Sequence, residues 1–329
     1  MRRLLVPAAF FAALPAGAVL IDAVAVYDVD NVPDGPSKCW AGNCGSVAEP
    51  YWMGTYEITN AQYAEFLNAV ADADPNGLYN TSMASSARGG ITRSGSSGSY
   101  AYAVKVGSEN KPVVFVSFYD ALRFVNWLQN GEPVGAQGPG TTEDGTYTIT
   151  PGGVAANSIA RNPGAIAFLP TENEWYKAAY YDPGTGLYWD YPMQINTFPS
   201  SDPPPGIASS GNFWAGTYAV TGSGSFVDSF DYLTEVGAYT SATSPYGTFD
   251  QGGNVWEWNE TVGAAPAERG VRGGGWNDQD SYLSASVYTD YDPATELDEL
   301  GFRIAPEPGE ALLAAAAALT LAFERARRR

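Results

Sequence analysis

The spacing of apolar residues along the chain predicts three amphipathic helices. Each begins at a residue whose side chain is able to cap the first turn, and each continues with an apolar stripe at helical spacing. Such stripes are typical of helices that pack on a core. The predicted caps and stripes are Thr59 and Gln62 with Tyr63, Phe66, Leu67 and Val70; Ser117 and Asp120 with Ala121, Phe124, Val125 and Leu128; and Thr171 and Glu174 with Trp175, Ala178 and Ala179.

Strand-like segments are short and scattered. Long stretches rich in Gly, Ser and Pro separate them, notably 89–99, 131–153 and 199–224. We see no internal repeat and no linker that marks a domain boundary. The pattern predicts a single α+β domain with much irregular structure. The predicted strands are 23–29, 113–116, 255–258 and 302–305.

Composition narrows the classes of function. The 329 residues carry a net charge of −19, which disfavours nucleic-acid partners and attracts cations. A hydrophobic content of 45% is enough for a packed core. The chain has no histidine, so a Ser-His-Asp triad, a histidine zinc site and a histidine-based iron site are excluded. The only cysteines, Cys39 and Cys44, are either a small disulfide loop or two free thiols.

The two ends carry features of export. Residues 1–18 have a basic start, an apolar run and an Ala-Gly-Ala exit, which predicts a signal peptide rather than a buried N-terminal helix. Residues 306–329 have Pro-Glu-Pro, an apolar run too short to span a bilayer comfortably, and an Arg cluster. This order resembles the bacterial PEP-CTERM sorting signal. The resemblance implies transient association with the inner membrane, processing by a membrane protease (an exosortase), and a Gram-negative host that secretes a polysaccharide matrix.

Six segments of the intervening chain, 19–305, occur in an order that resembles the formylglycine-generating enzyme family, also called sulfatase-modifying factors. Each segment is a weak signal alone, and the ordered set is specific. The resemblance implies one complex α+β domain related to C-type lectins. The segments are 53–63, 112–117, 169–175, 252–258, 271–276 and 301–304.

The resemblance also implies bound calcium, which takes carboxylate and carbonyl oxygens. The alternative is that the aromatic residues here belong to the core and the carboxylates are merely solvated. The first family site matches Asp250, the carbonyls of Gly253 and Val255, and Glu257; the second matches Asn212, the carbonyl of Phe213, Asp231 and the carbonyl of Leu233.

The resemblance breaks at the catalytic residues. Aerobic members of the family hold copper with two cysteines, because soft thiolates suit Cu(I). The matching positions here are Asp278 and Leu283, so we expect neither copper nor the family's oxidase chemistry. Carboxylates are plentiful nearby, and a carboxylate-based hydrolase is the alternative enzyme. They are Asp278, Asp280, Asp290, Asp292, Asp298 and Glu299.

These observations favour an exported pseudoenzyme, a calcium-stabilised binding or matrix module for extracellular polysaccharide or peptide. An enzyme, either an oxidase by an unrecognised route or the hydrolase, remains open, as does a matrix scaffold with no specific ligand. Aromatic rings stack on sugars, so the loops between Trp276 and Gly301 are the expected ligand surface. The candidate residues there are Trp276, Tyr282, Tyr288 and Tyr291.

Overall fold

A computed structural model describes residues 19–40, 42–265 and 267–306. Both predicted export segments, 1–18 and 306–329, lie outside these residues except for Pro306. No helix in the described ranges is both long enough and apolar enough to cross a membrane. Short helices and small sheets alternate with long irregular segments, which confirms the α+β prediction.

The three predicted helices are present and begin where the sequence places them. They are α1 (Asn60–Val70), α3 (Phe118–Gln129) and α5 (Glu172–Tyr180). Each has a complete capping box, in which the N-cap side chain and the residue three positions later satisfy backbone N–H groups reciprocally. Two single-turn helices accompany them, α2 (Ser82–Ser85) and α4 (Pro151–Ala155).

The largest described sheet has four strands in the order β10-β9-β8-β11. Strand β8 pairs antiparallel with β9 and parallel with β11, so segments from the last third of the chain meet at one place. A 3-10 helix at Asp280–Leu283 lies between β9 and β10. The strands are β8 (Trp256–Val262), β9 (Arg269–Arg272), β10 (Thr289–Tyr291) and β11 (Leu300–Gly301).

Four two-stranded sheets surround this one. They pair β1 (Ala23–Val26) with β2 (Tyr51–Gly54), β3 (Ile91–Ser94) with β4 (Ala101–Val104), β5 (Ala167–Phe168) with β12 (Ala305–Pro306), and β6 (Tyr181–Asp182) with β7 (Leu187–Tyr188).

Two of the strand predictions, for 113–116 and 302–305, were wrong. Segment 113–116 is buried, but it makes isolated hydrogen bonds to two different segments and not the ladder of a strand. Val113 N–H donates to the carbonyl of Ile58, and Phe115 N–H donates to that of Leu297. Phe115 has a positive φ of 61°, which breaks an extended ladder. In segment 302–305 only Ala305 is in a strand, while the carbonyl of Phe302 accepts from Ile58 N–H. Burial alone produced the apolar runs, and a buried irregular segment has the same composition as a buried strand.

The core joins helices α1 and α3 to the segment that follows β11. Four aromatic rings meet there with centroids 5.4–6.5 Å apart, in edge-to-face and stacked arrangements worth about 0.5–1.5 kcal/mol per pair beyond burial. The same segment carries Arg303, which the core therefore holds in place. The rings belong to Tyr63, Phe66, Phe124 and Phe302.

Candidate functional site

Arg303 is the centre of a buried acidic cluster, which we define as Glu57, Asp250, Glu257 and Arg303. The guanidinium of Arg303 donates from Nε to Glu257 Oε2 at 2.5 Å and from Nη2 to Glu257 Oε1 at 2.6 Å. The indole N–H of Trp175 donates to the same Oε2 at 2.6 Å. Strand β8 supplies Glu257, and α5 supplies Trp175. Arg303 is therefore structural.

Glu57 is the member of the acidic cluster that sequence reasoning missed. It is 1% exposed, its Oε1 accepts from Asn254 Nδ2 at 2.9 Å, and its Oε2 has no hydrogen-bond partner. That oxygen lies 3.9 Å from Arg303 Nη2. Burial raises the pKa of Glu57 well above its usual value, and the nearby Asp250 carboxyl adds to the shift. The position just before α1 gave no signal for this role.

Asp250 lies in the Gly-rich turn before β8, with a positive φ of 60°. Its Oδ2 accepts from Gly237 N–H at 2.5 Å, and burial raises its pKa to about 6. It also lines a cavity of about 10 Å³, together with the polar side chains of Thr248 and Gln251. A cavity of that volume has space for roughly one water molecule.

The first predicted calcium site falls on this acidic cluster. Within the described residues, no three His, Cys, Asp or Glu side chains already converge as a metal cage. Both oxygens of Glu257 already accept hydrogen bonds from Arg303, while Glu57 is buried and Asp250 is half-buried. The carboxylates are hard donors of the kind that calcium prefers. Calcium at this site, with the carbonyls of Gly253 and Val255 as further ligands, stays a prediction.

The second predicted calcium site has a protein cation in it. Lys111 Nζ donates to Asp231 Oδ2 at 2.6 Å, and Leu233 N–H donates to Asp231 Oδ1 at 3.0 Å. Asn212 Nδ2 donates to the carbonyl of Tyr232, and the carbonyl of Phe213 accepts from a serine hydroxyl. With the carboxylate already paired, these residues do not fit calcium in this arrangement.

The two positions that were predicted to match the family's copper-binding cysteines, Asp278 and Leu283, hold no thiol. Leu283 is 0% exposed and packs in an apolar cluster with Phe213 and Tyr239. Asp278 Oδ2 accepts from Trp256 Nε1 at 2.6 Å and from Gly275 N–H at 2.9 Å. Neither an alkyl group nor a hard carboxylate suits Cu(I). These residues therefore do not fit copper.

Cys39 and Cys44 form a disulfide. They lie in a small cluster with Trp175 and Tyr176 on α5, not beside Asp278 or Leu283. The described part of the chain contains no free cysteine. Nearby, Arg272 pairs with Glu172 at 2.6 Å and donates to several carbonyls, so it too is structural.

A second carboxyl lies near Asp278. Burial raises the pKa of Glu299 to about 7, and the Asp278 charge adds to the shift. Burial likewise raises the pKa of Asp278. The Oε2 atom of Glu299 is buried without a hydrogen-bond partner. Asp278 and Glu299 are thus two neighbouring carboxyls, one hydrogen-bonded and one with a buried oxygen that has no partner.

The four aromatic residues predicted to bind a ligand do not form one exposed surface. Trp276 is 3% exposed and stacks on Tyr232 with centroids 4.8 Å apart, so it offers no free face and that prediction was wrong. Tyr288 packs on Trp40 and Tyr291 on Trp258, each half-buried. Tyr282 alone is well exposed, at 44%. Exposed Phe226 and Phe230, which sequence reasoning missed, cover the buried stack.

Comparison with known proteins agrees with this fold. Residues 13–308 match the family described as "Sulfatase-modifying factor enzyme 1-like domain", and the chain belongs to that family. No curated protein matches the chain significantly. Identities below 20% to the solved structures show the fold alone.

Three similar structures cover most of the chain. The crystal structure of CarF is 19% identical, with a TM-score of 0.51 over 88% of this chain and 99% of CarF. Treponema denticola variable protein 1 is 18% identical, with a TM-score of 0.48 over 89% and 98% of the two chains. PvdO from Pseudomonas aeruginosa is 16% identical, with a TM-score of 0.47 over 87% and 92%.

Proposed function

We propose that this member of the family is an exported, non-catalytic binding module that recognises extracellular polysaccharide and is stabilised by calcium in the buried acidic cluster. The observation that carries the proposal is the pair Asp278 and Leu283 at the positions of the copper-binding cysteines. Export rests on the sequence features of 1–18 and 306–329. In that setting an exosortase acts on the C-terminal segment, and the protein joins the cell surface or matrix.

The side chains at these two positions support a loss of the oxidase reaction. Burial of Leu283 among apolar neighbours leaves no donor atom there, and the two cysteine sulfur atoms are bonded to each other in the Cys39–Cys44 disulfide. We expect no aldehyde formation on a cysteine-containing peptide in the presence of copper and oxygen. Turnover of that peptide would contradict the proposal.

The ligand surface is expected around Tyr282. Its ring lies 6.2 Å from the Trp256 ring, and Asp280 lies two residues earlier in the same 3-10 helix. Exposed aromatic rings stack on the apolar faces of sugars, and carboxylates accept hydrogen bonds from hydroxyl groups. This combination favours a polyhydroxylated ligand over an anionic one, because the chain is strongly acidic.

The test is binding to an array of bacterial oligosaccharides, followed by titration of the strongest binder. Tyr282→Ala is expected to weaken binding at least about tenfold, the effect of losing roughly 1.4 kcal/mol. Tyr27→Ala removes an exposed tyrosine elsewhere and should leave binding unchanged. No binding by the unmodified protein, or equal losses in both variants, would contradict a glycan site at Tyr282.

A hydrolase is the second candidate, because Asp278 and Glu299 have the unequal surroundings that an acid and base pair requires. It predicts release of reducing ends from matrix glycans, with a pH profile that Glu299→Gln abolishes. If glycan binds and no reducing ends appear, the hydrolase is eliminated and the binding module stands.

A further inference from the structure

We infer that a cavity between α3, α4 and the loop after β10 binds an organic cation, an ammonium group carried on an apolar body. Four segments that are distant along the chain meet around this cavity, which has a volume of about 430 Å³. Its lining is separate from the buried acidic cluster and from Tyr282. The inference therefore goes beyond the proposed function and does not depend on it.

The walls of the cavity are mostly small and apolar, and hydrogen bonds between segments hold them in place. The hydroxyl of Tyr119, in the first turn of α3, donates to the carbonyl of Val154 in α4 at 2.9 Å. Phe118 N–H donates to the carbonyl of Pro293 at 3.0 Å and thereby fixes the loop after β10 against the same helix. Such walls suit the apolar part of a ligand. The alanines among the lining residues are Ala155, Ala156, Ala267 and Ala294.

Asp292 is the acidic residue in the lining. Its Oδ1 accepts from Ala294 N–H at 2.9 Å, which fixes the side chain at the edge of the cavity. Two further carboxyls belong to the same region. The charge of Asp290 is the main cause that raises the pKa of Glu268, and Asp292 adds to that shift. Like charges that lie this close together attract a cation.

The protein supplies no cation of its own to these carboxyls. Every Lys and Arg side chain in the described ranges already has a carboxylate or carbonyl partner, and none of those partners is the side chain of Glu268, Asp290 or Asp292. Arg269 follows Glu268 in the chain, but it is 3% exposed and donates to Asn157 and to the carbonyl of Glu260. A cationic ligand therefore meets carboxylates without a charge partner, and an anionic ligand is repelled.

The combination of apolar walls and carboxylates selects a ligand with two parts. A bare metal ion makes no use of the apolar walls, and over the residues that the structure describes no three His, Cys, Asp or Glu side chains form a metal-binding group. An ammonium group beside Asp292, with its apolar body against the alanines, uses both features. Tyr119 in the wall adds to this preference, because aromatic rings attract ammonium groups. The cavity also has the volume of a small-molecule site, typically about 300–1,000 Å³.

The experiment titrates the unmodified protein with three ligands of one shape and different charge: pentylammonium, pentanol and pentanoate. Methyl groups of ¹³C-labelled alanines report by NMR whether a ligand enters the cavity, through Ala155, Ala156 and Ala294. We expect pentylammonium to bind at least about fivefold more tightly than pentanol, since two unit charges about 4 Å apart in water attract by that factor. Pentanoate should not bind.

Asp292→Asn keeps the acceptor for Ala294 N–H and removes the charge. It should lower the affinity for pentylammonium to that for pentanol and leave pentanol binding unchanged. Asp72→Asn makes the same change of charge at an exposed position elsewhere, and it should bind pentylammonium as the unmodified protein does. N-acetyl-lysine amide presents the same ammonium on a peptide backbone. Tighter binding of this compound than of pentylammonium supports the site with a peptide as the source of the cation, and weaker binding supports it with a free amine.

Three results would overturn the inference. They are the absence of shifts at the three alanine methyl groups with all of these compounds, equal affinities for pentylammonium and pentanol, and an affinity for pentylammonium that Asp292→Asn leaves unchanged. The first two are measured on the unmodified protein, so they hold even if the variant does not fold. None of the three bears on glycan binding at Tyr282 or on calcium, which have tests of their own.

Discussion

Two acidic regions of this protein lie at the predicted calcium sites, and they balance their charge differently. In the buried acidic cluster, three carboxylates face one guanidinium. Around Asp231, one partly exposed carboxylate meets the ammonium of Lys111 at 2.6 Å. The second region is neutral through its own side chains, whereas the first is not. The comparison teaches that matching ligand positions do not define a metal site until every nearby charge is counted.

The largest effect is expected from Arg303→Met. It leaves Glu257 buried without its partner and removes hydrogen bonds to the carbonyls of Gly54 and Phe249. Breaking a buried ion pair from one side costs about 3–5 kcal/mol. Chemical denaturation of both proteins measures the difference in free energy of unfolding. A loss of stability below about 1 kcal/mol would show that water reaches the cluster more easily than its burial indicates.

Asp120 provides a buried carboxyl outside both regions as a reference for protonation. Burial raises its pKa to about 6, although Ser117 donates two hydrogen bonds to it. Because the pKa of Asp120 is higher in the folded than in the unfolded protein, its protonated form contributes to the free energy of unfolding at low pH. That contribution is lost as the pH rises from about 4 through 6.

Asp120→Asn keeps the acceptor oxygen but cannot ionise. The decrease in its free energy of unfolding between low and neutral pH should therefore be smaller by about 3 kcal/mol, as a shift of roughly two pKa units implies. Asp74 and Arg123 also face Asp120 electrostatically and are present in both proteins. The Asp120 charge adds to the raised pKa of Glu296, so part of the difference between the two proteins comes from Glu296. Denaturation curves between pH 4 and 7 measure the difference. Parallel curves for the two proteins would refute the raised pKa.

The smallest effect is expected from Lys111→Met. A partly exposed ion pair contributes about 0–1 kcal/mol, so the loss of stability in chelator should be slight. The Asp231 carboxylate then lacks a cation, and calcium should stabilise this variant more than the unmodified protein. Thermal melts with calcium and with chelator compare the two. An unchanged calcium effect would mean that Lys111 does not stand in for the ion.

The local elements were predictable, because their signals lie in neighbouring residues. Capping boxes at Thr59 and Thr171 determined where helices begin. The buried irregular segments were not predictable as such, since Phe115 gives no sign in the sequence of its positive φ. The register of those segments depends on contacts with Ile58 and Leu297 that are distant along the chain.

The candidate sites were predictable only in part, for the same reason. The sequence predicted that Asp278 and Leu283 replace the family's cysteines, and that assignment stays a prediction. The charge partners were not, because Glu57 lies 197 residues from its contact Asn254 and Lys111 lies 120 residues from Asp231. Burial of Trp276 depends on Tyr232 and Phe226, which lie in a segment with no predicted helix or strand.

The most direct test of this account is the number of calcium ions bound per chain, measured by equilibrium dialysis with elemental analysis. The account predicts one, because we propose a calcium ion in the buried acidic cluster and because Lys111 pairs with Asp231. A value of two would show that Lys111 yields to calcium. A value of zero would show that protons, not a metal, balance the charge around Arg303.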